Sequence, residues 1–119
     1  MERFEVNFYR KENGDCPVED FLSSLDDKMR AKLLIGVDLL EENGPLLREP
    51  YSKPLGDGIF EIRAKQSSNI TRVLYFFFVG RQIILTNGFT KKTQKTPSGE
   101  IDVAKKYRAD YLKRKGNEA

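Results

Sequence analysis

The feature that most constrains the fold is an apolar run at residues 73–79, followed after a short break by a second run at residues 83–85. A continuous apolar run of this length is typical of a strand that is buried on both faces, which predicts a central strand over residues 70–79. Gly80 and Arg81 separate the two runs and predict a tight two-residue hairpin turn, with residues 82–89 as the partner strand.

Shorter patterns predict the remaining elements. Alternating apolar residues at positions 4, 6 and 8 indicate a first strand, and residues 59–65 alternate in the same way. Pro17 suits the first turn of a helix, a second helix begins at Asp26 and Asp27, and Gly44 followed by Pro45 ends it. The proline- and glycine-rich residues 45–58 favour a loop, and the last helix is expected over residues 97–113.

This order of elements, β-α-α-β-β-β-α, predicts an α+β fold. We expect a mainly antiparallel four-stranded sheet with a helical hairpin on one face. The 119 residues suit a single domain that spans positions 1–119.

Charge is unevenly distributed along the chain. Residues 1–85 carry 12 Lys/Arg and 14 Asp/Glu, whereas residues 86–119 carry 9 Lys/Arg and 4 Asp/Glu. A basic last third on a nearly neutral body favours a polyanionic partner. A solvated basic helix and tail explains the same distribution equally well.

Histidine is absent and Cys16 is the only cysteine, which limits the available chemistry. An internal disulfide and a Cys/His zinc site are excluded, as are the usual histidine-dependent triads. We therefore expect no metal and no cofactor. The charged N-terminus lacks the pattern of a secretory signal, and no apolar run is long enough to cross a bilayer, so the expected location is the cytoplasm.

The predicted turns also predict a register for the sheet. A loop centred on residues 67–68 pairs Arg63 with Arg72, and the turn at residues 80–81 pairs Arg72 with Phe89 and Phe76 with Leu85. Two arginines that face each other repel, so an anion such as phosphate between them is favoured.

Two interpretations of this row remain open. In the first, the arginines bind phosphate, Phe89 stacks on a base, and Lys91 follows on the same face. In the second, Glu61 pairs with Arg63 or Arg72 in an ion-pair cluster, and Phe89 is an ordinary core residue.

The segment after Phe89 carries three lysines and three threonines immediately before a helix. Such a segment suits contacts with a nucleic-acid backbone. The alternative is an exposed connector in which Thr96 caps the helix that Pro97 opens, although this explains the lysines less well.

Three motifs together resemble the RelE/ParE toxin superfamily, and within it the HigB-like, phage-derived branch. They are LGDGIFEIR at residues 55–63, TRVLYF at residues 71–76 and NGFTKKTQKTP at residues 87–97. The resemblance implies a RelE-like fold and the toxin of a type II toxin–antitoxin pair, which cleaves mRNA on the ribosome without a metal, through attack of the ribose 2′-hydroxyl on its own phosphate. It also implies two partners: a cognate antitoxin, often a helix-turn-helix protein, and the mRNA-bearing ribosome.

The resemblance also suggests roles for individual residues. The expected catalytic residues are Arg63, Arg72 and Lys91, and the expected RNA-binding residues are Phe89, Lys92, Gln94 and Lys95. The chain departs from the family at Asn87, where members often have histidine. Tyr107 and Tyr111 fall on the apolar stripe of the last helix, so they are expected to be core residues, and no general base is identified.

Two other functions stay open at this point. One is an inhibitor of the ParE kind, which blocks DNA gyrase without cleaving RNA. The other is an inactive prophage remnant that only binds its antitoxin. The basic segment at residues 89–95 favours the nuclease over the gyrase inhibitor.

Overall fold

The computed structural model describes residues 3–118 and contains three α-helices and five strands. In chain order they are β1 (Glu5–Phe8), α1 (Pro17–Ser24), α2 (Asp27–Asn43), a single 3₁₀ turn (Gly44–Leu46), β2 (Ser52–Gly56), β3 (Ile59–Gln66), β4 (Asn69–Phe78), β5 (Gln82–Lys91) and α3 (Ser98–Glu118). No helix in this part of the chain combines the length and the apolar character that crossing a membrane requires.

The five strands form one mixed sheet in the order β1-β5-β4-β3-β2. β1 is parallel to β5, and the other three pairs of neighbours are antiparallel. The prediction of four strands was wrong because β2 lies inside the segment that was predicted to be a loop. Pro54 has no N–H to donate, but β2 is an edge strand, where a proline is tolerated.

β4 is the central strand, and side chains on both of its faces are buried. The α1–α2 hairpin covers one face, where Leu33 and Leu40 pack against Val73 and Tyr75. α3 covers the other face, where its Ala104 belongs to a second core cluster of buried residues. The predicted hairpin on one face is therefore confirmed, and the last helix occupies the opposite face.

The α2 helix approaches β3 very closely at Gly36. A Cβ atom at this position would lie 2.8 Å from the Cγ2 atom of Ile62, which is fully buried. The absence of a side chain at residue 36 therefore sets the distance between the hairpin and the sheet.

The connection between β4 and β5 differs from the predicted turn. Phe78 pairs with Gln82, so three residues form the loop, and Gly80 and Arg81 both have positive φ. The predicted pairing of Phe76 with Leu85 was wrong, because Phe76 pairs with Ile84.

A β-bulge at Thr86 restores the predicted register beyond this point. Leu74 pairs with Asn87 while Tyr75 pairs with Leu85, which leaves Thr86 without a partner in the ladder. The Thr86 hydroxyl donates a hydrogen bond to the carbonyl of Leu74 (3.1 Å). A bulge adds one residue to its strand, and this offsets the longer loop.

Candidate functional site

The predicted row of Arg63, Arg72 and Phe89 is present on the α3 face of the sheet. Arg63 pairs with Arg72 across β3 and β4, and Arg72 pairs with Phe89 across β4 and β5. Phe89 belongs to the core cluster beneath α3. The sheet therefore brings the two arginines side by side, as the sequence predicted.

Glu61 joins the two arginines in a cluster that we call the arginine cluster (Glu61, Arg63 and Arg72). Its Oε2 lies 2.9 Å from Nε of Arg63, and its Oε1 lies 3.8 Å from Nε of Arg72. The side chains of Glu61 and Arg72 are 1% and 0% exposed, whereas Arg63 is 16% exposed. The structure thus adopts the ion-pair arrangement, and the two guanidinium groups share a carboxylate.

The arginine cluster is covered by residues 92–96, which we call the covering segment. Nη2 of Arg63 donates a hydrogen bond to the carbonyl of Gln94 (2.7 Å), and Nη2 of Arg72 donates to the carbonyl of Thr93. The Thr96 hydroxyl is buried and donates to Oε1 of Glu61, so its side chain binds the cluster. The covering segment therefore contacts all three members of the cluster.

Arg72 retains unused hydrogen-bonding capacity inside this arrangement. Its Nε and Nη1 are buried and have no hydrogen-bond partner among the described residues. Burial lowers the pKa of Arg72, the charge of Glu61 acts in the opposite direction, and Arg63 lowers the pKa further. An unsatisfied buried guanidinium is costly, so Arg72 is suited to bind an anionic oxygen that reaches it.

Phe89 does not offer the base-stacking surface that was predicted. It is only 7% exposed and packs in the cluster that contains Leu74, Phe76 and Ala104. The guanidinium carbon of Arg72 lies 5.3 Å from the centre of its ring, within the range of a cation–π contact. Because α3 covers this face, Phe89 supports Arg72 and has no free face for a nucleotide.

The other predicted site residues surround the cluster at the surface. Lys91 ends β5, where it pairs with Ile70 of β4. Lys92, Gln94 and Lys95 are exposed in the covering segment, next to the residues that hold the arginines. The four residues thus place three positive charges around the arginine cluster.

Asn87, where the resemblance led us to expect histidine, has a structural role here. Its side-chain amide donates to the backbone carbonyl (3.2 Å) and the carboxylate (3.3 Å) of Glu100, and its Oδ1 lies 2.7 Å from the Thr86 hydroxyl oxygen. These bonds attach the first turn of α3 to the bulge in β5.

The two tyrosines of the last helix pack as expected. Tyr107 stacks on Tyr9 with ring centres 4.6 Å apart, and Tyr111 meets Phe76 and Phe78 edge to face. Tyr111 and Tyr107 are partly buried against the second core cluster. Both residues belong to the interface between α3 and the sheet.

Sequence reasoning underestimated Glu61 and missed the contact of Thr96. Alternation along β3 places Glu61 on the same face as Arg63, and this signal identifies the carboxylate as a partner for the arginines. The bond from Thr96 has no signal in the sequence, since it depends on the path of the covering segment across the sheet.

Comparison with known proteins assigns the chain to a family. A profile of the family described as "Phage derived protein Gp49-like (DUF891)" matches residues 20–109, well over half of the chain. A comparison with curated proteins gives no significant match. The matched region contains the end of α1, all of α2, the arginine cluster and the covering segment. The chain therefore belongs to the phage-derived Gp49-like family, which lies within the RelE/HigB toxin-like superfamily.

Proposed function

We propose that this protein is the toxin of a type II toxin–antitoxin system, of the HigB-like branch, with a RelE-like fold and ribosome-dependent endoribonuclease activity on mRNA. The observation that carries this proposal is the pairing of Arg63 with Arg72 on adjacent strands beneath a lysine-bearing segment. Membership of a toxin-like family supports it.

The proposed reaction needs no metal. The ribose 2′-oxygen forms a bond to the adjacent phosphorus, the bond from phosphorus to the 5′-oxygen of the next nucleotide breaks, and a proton passes from the 2′-hydroxyl to solvent while the leaving oxygen gains one. Negative charge builds on the phosphoryl oxygens in the transition state, and fixed guanidinium groups stabilise it. In this proposal Arg63 and Arg72 bind those oxygens, and Glu61 is a positioning residue that orients both side chains.

Phosphate binding at this site requires the covering segment to move. The backbone carbonyls of Thr93 and Gln94 occupy one nitrogen of each guanidinium group. A phosphate oxygen is a stronger acceptor than a neutral carbonyl, so RNA competes effectively for the same donors. Lys91, Lys92, Gln94 and Lys95 then contact the RNA backbone or ribosomal RNA near the opened cluster.

The proposal also includes partners. We propose that a cognate antitoxin, of the helix-turn-helix kind, neutralises the protein, and that the ribosome presents the mRNA. Both partners are expected in the cytoplasm.

A second candidate function is inhibition without cleavage, as in the ParE branch or in a remnant that only binds its antitoxin. The observation that favours it is the complete burial of Arg72 in an ion pair with Glu61. If the covering segment never moved, the arginine cluster would still stabilise the fold, but Arg72 could not bind a phosphate.

Purified protein in a translation extract separates these functions. The nuclease proposal predicts new mRNA 3′ ends that carry 2′,3′-cyclic phosphate. Treating the protein with EDTA should leave the yield of these cleaved ends unchanged. An mRNA with a 2′-deoxy nucleotide at the cleavage position should not be cut there. The matched control is the same mRNA without ribosomes, which should stay intact. Intact ribosome-bound mRNA in the presence of protein that arrests growth would contradict cleavage, and DNA damage on expression would then favour gyrase inhibition.

A further inference from the structure

A groove lies beside the arginine cluster at the open end of β3. β2 pairs with β3 as far as Ser52 and Ile62, and the Arg63 N–H donates to the carbonyl of Tyr51 (2.9 Å). Beyond this point no described strand pairs with the outer side of β3. The space between α2, residues 50–51 and the covering segment forms a groove of about 470 Å³, which we call the edge groove.

Every charged side chain that lines the edge groove is positive. These residues are Lys32 from α2, and Arg63 and Lys65 from β3. Apolar and aromatic surface accompanies the charge, because Ile35 is 60% exposed and Tyr51 is 45% exposed in the lining. Proteins bind single-stranded nucleic acid with positive side chains that contact its phosphate backbone and with exposed aromatic rings on which its bases stack.

The edge groove is continuous with the arginine cluster. Arg63 belongs to both, and Gln94, which accepts a hydrogen bond from Arg63, also lines the groove. Ile70 forms part of the groove lining, and it pairs with Lys91 on the neighbouring strand. A strand of RNA with its phosphate at Arg63 therefore has a direct path into the groove.

We propose that the edge groove binds the single-stranded RNA next to the scissile phosphate, with one base stacked on Tyr51. This inference rests on the proposed function. It assigns base stacking to Tyr51, because Phe89, for which stacking was predicted, is buried. Lys32 and Lys65 neutralise the flanking phosphates.

The contacts of Lys32 favour RNA over a protein strand added to the sheet. A strand that extended the sheet beside β3 would need the outward carbonyl of Lys65. Nζ of Lys32 already donates a hydrogen bond to that carbonyl (3.0 Å). The groove is therefore closed to further strand pairing at this point, while its exposed ring and charges stay accessible.

The chain lacks tryptophan, which allows a direct test by fluorescence. Tyr51→Trp puts the only tryptophan in the edge groove, and a stacked base should quench its emission when a single-stranded RNA oligonucleotide is added. Val79→Trp is the matched control, because Val79 is 73% exposed in the loop that follows the far end of β4. Quenching at residue 51 without quenching at residue 79 is the expected result.

Binding measured by anisotropy of a labelled oligonucleotide gives a second readout. Tyr51→Ala should weaken binding by a factor between about 5 and 150, whereas Tyr51→Phe should bind like the wild type, since stacking needs only the ring. Lys32→Gln should weaken binding and flatten its dependence on salt. Equal affinity of the wild type and Tyr51→Ala, with no quenching at residue 51, would overturn the proposal.

The outcomes separate this inference from the proposed nuclease. RNA binding with quenching but intact ribosome-bound mRNA would support the groove and refute cleavage. Cleavage that is the same in the wild type and Tyr51→Ala, without quenching, would refute the groove alone. Loss of antitoxin binding in Tyr51→Ala, with RNA binding unchanged, would also refute it and make the groove a protein-binding surface.

Discussion

Glu61 and Arg72 lie on adjacent strands and form an ion pair in the protein interior, with 3.8 Å between Oε1 and Nε. Neither side chain is more than 1% exposed. The hydroxyl of Thr96 and the Nε of Arg63 complete the surroundings of the carboxylate. One buried acid therefore balances part of the charge of two arginines, and the fold and the candidate site depend on the same three side chains.

Removal of Glu61 is expected to destabilise the protein strongly. Glu61→Ala leaves the buried Arg72 without its counter-charge, which typically lowers the free energy of unfolding by about 3–5 kcal/mol. Urea unfolding followed by circular dichroism measures the change. Glu42→Ala is the matched control, because Glu42 pairs with Arg3 at the exposed surface, where such a pair contributes about 0–1 kcal/mol. Equal losses in the two variants would show that the buried pair is unimportant for stability.

The close contact at Gly36 gives a second expectation for stability. Gly36→Ala gains helix propensity worth about 1 kcal/mol but forces a methyl group against Ile62, and overpacking of this kind costs about 1–3 kcal/mol. We expect a lower midpoint of thermal unfolding. Gly99→Ala in α3 is the control, since a Cβ there meets nothing within 4 Å. A stabilised Gly36→Ala protein would show that α2 moves away from the sheet at no cost.

Two tyrosines should make stability depend on alkaline pH. Burial, and a hydrogen bond to Asp110, raise the pKa of Tyr9 to about 12, and burial raises the pKa of Tyr75 to about 12. The folded protein holds these protons more tightly than the unfolded chain, whose tyrosines titrate near 10. The resulting stability is complete below about pH 10 and is lost as the pH rises through about 12.

Two measurements test this expectation: phenolate absorbance and the free energy of unfolding. Both are followed from roughly pH 9 to roughly pH 13, the range around the ordinary tyrosine pKa. Tyr9→Phe and Tyr75→Phe should each remove one late-titrating phenol and make the loss of stability less steep. If the phenol missing from either variant is one that titrates near pH 10 in the wild type, the raised pKa values are contradicted.

Hydrophobic patterning predicted the central strand correctly, and the positions of the turns predicted the row of arginines correctly. The long apolar run of β4 could only be buried on both faces, and the hairpin between β3 and β4 pairs Arg63 with Arg72 as expected. The pairing of Arg72 with Phe89 was correct although the turn was not, because the bulge at Thr86 compensated for the longer loop. A bulge is determined by local hydrogen bonds and leaves no mark in an alternating pattern.

Other features depend on tertiary contacts that the sequence does not reveal. β2 escaped prediction because Pro54 within it favours a loop when the strand's position at the edge of the sheet is unknown. The burial of Phe89 follows from the packing of α3 on that face of the sheet. The bond between Thr96 and Glu61 joins residues 35 positions apart, so only the folded chain shows it.

The most direct test of the arginine cluster is the rate at which ribosome-bound mRNA is cleaved by Arg63→Ala compared with the wild type. Arg63 is the partly exposed arginine of the pair, so its removal disturbs the interior less than removal of Arg72. Arg48→Ala, at an exposed arginine that donates to the carbonyl of Pro45, is the matched control. We expect Arg63→Ala to remain folded by thermal unfolding and to cleave about 10²–10³ times more slowly, with Arg48→Ala unchanged. A folded Arg63→Ala protein that cleaves at the wild-type rate would contradict the role of the cluster.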